Sequence, residues 1–156
     1  MRTIDIEIAV MQFIGIRRNI IVPNVSWGMN IGLHECDLLC LSASNYATEV
    51  EIKVSKSDLK KDNDKGHGHF HNHIKYLYFA VPEKLVEFAL QHIPERAGLL
   101  SVKKHAWGTG HEFKVEKVRK ARQNPNAVQW TLKQRCNLGR LGTMRICGLL
   151  QTISNR

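Results

Sequence analysis

Alternation with a period of two runs through the centre of the chain. Between residues 49 and 54, Val50, Ile52 and Val54 interleave with Glu49, Glu51 and Lys53, the pattern of a half-buried strand. Just upstream, in HECDLLCLS, Cys36, Leu38 and Cys40 interleave with Glu35 and Asp37. The turn-like SASN joins the two. NIIVPNVSWGMN, broken by Pro23 and Gly28, is a further β-prone stretch, and IKYLYFAV, GLLSVKK and HEFKVEKVRKA read as strands. Helical spacing appears over residues 3–16, with Ile4, Ile8 and Met11 on one side. A short helix is expected after Ser55, which with Asp58 forms a capping pattern. Pro82 is expected to start the helix PEKLVEFALQHI, and residues 126–150 to form a basic terminal helix. This order predicts one α/β domain over residues 1–156, with a mixed central sheet flanked by helices.

If the two acidic strands form a hairpin turning at Ser44, Asp37 faces Glu51 and Glu35 faces Lys53. Cys36, Leu38, Cys40, Val50, Ile52 and Val54 then share a buried face, and Glu35, Asp37, Glu49, Glu51 and Lys53 share an open one. Directly opposed side chains stand about 4.5–5.5 Å apart at Cβ, where like charges repel. Lys53 offsets one charge, and a hard divalent cation would offset more. All-oxygen ligands suit Mg²⁺ or Mn²⁺. A cation, a metal-activated water and a nearby lysine together match the needs of phosphodiester hydrolysis. The competing reading is a solvated charged face.

Charge is unevenly distributed. Residues 1–100 hold 11 Lys+Arg against 12 Asp+Glu, and residues 101–156 hold 12 against 2. A neutral part followed by a strongly basic one points to a polyanionic partner, with nucleic acid foremost. No apolar run approaches the roughly 20 residues that span a bilayer, and Asp5 and Glu7 interrupt the apolar pattern of the N-terminus. A cytoplasmic protein without membrane partners is expected. The four cysteines, Cys36, Cys40, Cys136 and Cys147, form no CxxC pair and read as buried free thiols.

Asp37, followed by Glu51-Ile52-Lys53 on the next strand, resembles the signature of the PD-(D/E)XK nuclease superfamily. The longer string VEIKVSKSDLKKD, followed by YLYFAVP, is similar to bacterial MmcB-like DNA-repair proteins and their phage-encoded relatives. The resemblance covers roughly residues 34 to 100. It implies a restriction-endonuclease-like core and a metal-dependent nuclease acting on DNA, in repair or phage DNA processing. Asp37 and Glu51 would be metal ligands, Lys53 the catalytic lysine, and Glu7 the additional acid from the first helix, with Asp5 behind it. Glu35 and Glu49 leave the ligand set open, Glu35 being the further candidate. The proline that often precedes the first acid is absent, and Cys36 stands there. The alternative is a non-catalytic DNA-binding module of the same fold. RNA as the partner, and a homodimer as the assembly, remain open.

Lys56, Lys60 and Lys61 follow the acidic strand at a helix N-terminus, where a phosphate could bind. Arg135, Arg140 and Arg145 are candidate phosphate contacts on the last helix. His67, His69, His71 and His73 alternate in HGHFHNH. They suit a surface loop more than a zinc site, because their spacing differs from common structural zinc ligands. Trp107 could stack on a base, although packing is its more common role.

Overall fold

The structure is a computed structural model that describes residues 1–26, 29–63, 70–105 and 113–155. His67, His69 and Trp107 lie outside the described residues. Helix α1 (Thr3–Ile14) leads into strand β1 (Ile20–Val25), followed by β2 (Cys36–Leu41), β3 (Ala47–Ile52), α2 (Lys56–Asn63), β4 (Ile74–Pro82), α3 (Val86–His92), β5 (Gly98–Lys104), β6 (Phe113–Arg119) and α4 (Leu132–Ser154). The six strands form one mixed sheet in sequence order. β3, β4 and β5 run parallel, and the other neighbours pair antiparallel. The parallel pairs require crossovers, which α2 and α3 supply.

Both faces of the sheet are packed. On one, Ile6 and Val10 of α1 meet Leu38, Cys40, Val50, Ile52, Leu100 and Val102. On the other, Leu138 and Leu141 of α4, with Trp130, cover Leu39, Leu41, Ala47 and Ile74. Beside them Leu59 of α2 and Ala89 of α3 pack on Leu77, Phe79 and Leu99. A central strand between helical layers has no solvated face. The expected open face on β3 is therefore absent: Glu49 is 0%, Glu51 2% and Lys53 7% exposed.

Two helix boundaries differ from expectation. Pro82 closes β4 instead of opening a helix, and a 3₁₀ turn (Glu83–Leu85) intervenes before α3. Residues 126–131 are not helical. Trp130 is tied down by its backbone N–H to Asn45 O at 2.8 Å and its indole N–H to His73 O at 2.8 Å. Helix α4 then starts at the Thr131–Gln134 capping box. Cys36 and Cys40 are buried, but Cys136 and Cys147 are exposed because they lie on the outer side of α4. No helix among the described residues is long and apolar enough to cross a membrane.

Candidate metal and carboxylate centre

The β2–β3 hairpin has the register expected from its pattern, with Leu38 opposite Val50 and Cys40 opposite Thr48. Continued outward, that register sets Asp37 across from Glu51, but the strands part here. The Asp37 carboxylate takes the place of a backbone acceptor: the N–H of Ile52 donates to Asp37 Oδ2 at 2.8 Å. The next residue on β3 stays with the sheet on its other side, where the N–H of Lys53 donates to Ala80 O at 3.0 Å. Lys53 Nζ turns back to Glu51 Oε2 at 2.7 Å, forming a buried ion pair.

Asp37 lies within electrostatic reach of two further acids, Glu51 and Glu7. Burial pushes the Glu51 carboxyl above its ordinary pKa, the charge of Asp37 adds to the rise, and Lys53 opposes it. Half-buried Glu7 on α1 is raised by burial and then by the charge of Asp37. Asp37 is thus the charge that both glutamates feel. Glu7 also lines a cleft of about 550 Å³ between α1 and α4, with Ile8, Met11, Pro23, Arg145 and Leu149 among its other walls. Oxygen ligands from Asp37 and Glu51, with the Glu51 carboxyl raised and one lysine beside it, suit a hard cation such as Mg²⁺ or Mn²⁺, whose charge would relieve the repulsion.

The other expected residues are placed differently. Glu35 is exposed, and no hydrogen bond or ion pair among the described residues ties it to Asp37 or Glu51. Asp5 is engaged by Arg2 at the N-terminus of α1, at 2.8 Å. Arg135 Nη1 donates to Ser42 O at 2.9 Å and Asn45 Oδ1 at 3.1 Å, clamping the β2–β3 turn. Arg145 donates to the carbonyl of Asn24. Arg140, by contrast, is exposed. Lys56 and Lys60 are exposed above the ring of Phe88, at 5.2 and 6.0 Å from its centre. His71 and His73 pack near the start of β4, where His71 Nε2 lies 3.1 Å from Ile31 O and His73 meets Trp130 edge-on.

One grouping escaped the sequence pattern. Cys36 does not share a face with Leu38 and Cys40; it packs with Val22, Val25 and Leu39 toward α4. Its partner on β1, Val25, leaves the alternation as well, next to Asn24 at φ 51, while the β1–β2 register stays unbroken. Cys36 thereby approaches His34 and buried Glu49, whose ligand atoms with its own Sγ lie within 4.8 Å of one another. The His34–Cys36 spacing was visible in the sequence, but their meeting with Glu49 was not.

No protein-family model matches the chain, and no curated protein does. A solved structure of a protein of unknown function from Silicibacter pomeroyi is similar in fold: TM-score 0.63 and 18% identity, over 99% of this chain and 92% of that one.

Proposed function

We propose that this chain is a divalent-metal-dependent nuclease of the PD-(D/E)XK type, hydrolysing DNA phosphodiester bonds, with a restriction-endonuclease-like core. The observation that carries the reading is the Glu51–Lys53 pair standing beside Asp37, whose carboxylate binds the Ile52 N–H where β2 and β3 part, with Glu7 of α1 within electrostatic reach of Asp37. Asp37 and Glu51 would hold Mg²⁺ or Mn²⁺, and Glu7 would support them from α1. Bound there, the metal supplies positive charge and an acidified water. Lys53 is held by its backbone to β4 and by its ammonium to Glu51, so its charge is fixed in place before any substrate arrives. Such preorganised charge is what a phosphorane-like transition state rewards. The cleft between α1 and α4 gives Glu7 a way to solvent, with Arg145 on one wall. The basic part of the chain would hold the nucleic-acid backbone.

A second reading is a non-catalytic DNA-binding module of the same fold. It draws on the Glu51–Lys53 pair itself, which is buried and already neutralised at 2.7 Å. The deciding experiment is a cleavage panel of duplex, flap, junction, single-stranded DNA and RNA substrates with Mg²⁺, Mn²⁺ or EDTA. Metal-dependent cutting that Asp37→Asn abolishes supports the nuclease. Tight binding with no cutting under any metal establishes the binding module instead.

A further inference from the structure

The geometry points to a second metal site, separate in chemistry from the oxygen cluster: a zinc-class divalent ion bound by His34, Cys36 and Glu49. Each residue offers a different donor: an imidazole nitrogen, a sulfur and a carboxylate oxygen. Their ligand atoms fall within 4.8 Å of one another. Cys36 and Glu49 are 0% exposed, and the His34 side chain is 11% exposed, which gives the site its opening to solvent.

Two of the present contacts are ones that an ion would exchange. His34 Nε2 and Glu49 Oε1 are hydrogen-bonded at 2.6 Å. Tetrahedral zinc with bonds near 2.0–2.1 Å holds its nitrogen and oxygen ligands roughly 3.3 Å apart. Opening this pair by less than about 1 Å is therefore enough to admit the ion. The Cys36 thiol donates to His34 O at 3.5 Å, and because S–H is a weak donor this bond costs little to give up. On binding, the thiol releases its proton to solvent and the sulfur ligates as thiolate. Arg96 also lies within electrostatic reach of Glu49, so the carboxylate is compensated both with and without the ion.

Ligand chemistry separates this site from its neighbour. Sulfur and imidazole suit zinc and cobalt, whereas Mg²⁺ prefers the all-oxygen set at Asp37 and Glu51. Three protein ligands leave one position for water or for the second oxygen of Glu49. The ion's role would be positional. It would tie the segment leading into β2 to the centre of β3, and Asp37 is the residue that follows Cys36.

Cobalt tests this without any substrate. The chain, stripped with a chelator and kept reduced, is titrated with Co²⁺ while sulfur-to-cobalt charge-transfer absorption is followed in the near ultraviolet. One equivalent should develop the band, and Zn²⁺ should bleach it. Cys36→Ser should abolish the band. His34→Ala and Glu49→Gln should each weaken binding by about tenfold or more. Asp37→Asn should leave the band intact, which separates this site from the oxygen cluster and from the nuclease reading. If Cys36→Ser does not fold, as judged by circular dichroism, the less buried His34→Ala carries the same test. Absence of the band in the native chain, its survival in Cys36→Ser, or its loss in Asp37→Asn would overturn the proposal.

Discussion

Asp37 Oδ2 accepts the backbone N–H of Ile52 at 2.8 Å, so one side chain both closes the end of the β2–β3 ladder and stands among the candidate metal ligands. The two roles separate by substitution. Asp37→Asn keeps an acceptor for Ile52 and removes the charge. Asp37→Ala removes both, leaving a half-buried N–H unpaired at a cost of about 1–3 kcal/mol. Urea unfolding should place Asn near the native chain and Ala below it, whereas Mg²⁺ affinity and cleavage should fall in both. Equal stability of the two variants would mean that the Ile52 bond contributes nothing.

Lys53→Ala should lower cleavage by on the order of a hundredfold or more, the scale of removing one preorganised transition-state interaction. It should also cost about 3–5 kcal/mol of stability, because Glu51 would be left as a buried charge without its partner. Glu51→Gln placed beside Lys53→Ala should recover part of that stability and none of the activity. A double-mutant cycle of unfolding free energies, paired with cleavage rates measured where each variant is folded, checks both statements.

The arginines of α4 should divide by what they already hold. Arg135 holds Ser42 O and Asn45 Oδ1 through Nη1. Arg135→Ala should therefore lower stability by about 1.5–3 kcal/mol and leave the salt dependence of DNA binding unchanged. Exposed Arg140 should behave in the opposite way: Arg140→Ala should flatten the salt slope by roughly one unit for each phosphate that the arginine neutralises and leave stability within about 0.5 kcal/mol. Binding isotherms between low and moderate salt decide this.

Acid should loosen the junction of β4 with the lead-in to α4. Burial, and then the neighbouring His71, depress the pKa of His73 below its ordinary 6.5. Gln134 Nε2 donates to His73 Nε2 at 3.3 Å, a bond that a proton on that nitrogen would abolish. As pH falls below about 6.5 the unfolded chain takes up the proton first. The stability tied to neutral His73 is thus present above 6.5 and lost as pH falls through the depressed folded value. Thermal unfolding from pH 8 to 5, followed by tryptophan fluorescence, should show this loss, and His73→Gln should flatten it.

Much of the architecture was legible in the order of residues. Period-two alternation located the strands, and the charge and turn pattern around Ser44 set the β2–β3 register, because a one-residue slip would invert every side chain. Asp37, Glu51 and Lys53 could be read as one group for the same reason. What sequence pattern could not supply was the environment. Whether Glu49, Glu51 and Lys53 face water depended on which helices cover β3, and that is fixed by the parallel crossovers through α2 and α3. The capture of Arg135 by the hairpin turn is a contact between segments distant in sequence, and the exposure of Cys136 and Cys147 is set by how α4 packs. The grouping of His34, Cys36 and Glu49 depends on Cys36 leaving its strand's alternation, opposite Val25 and near left-handed Asn24 on β1. Local periodicity determines which residues share a face; only the packed sheet decides what that face meets.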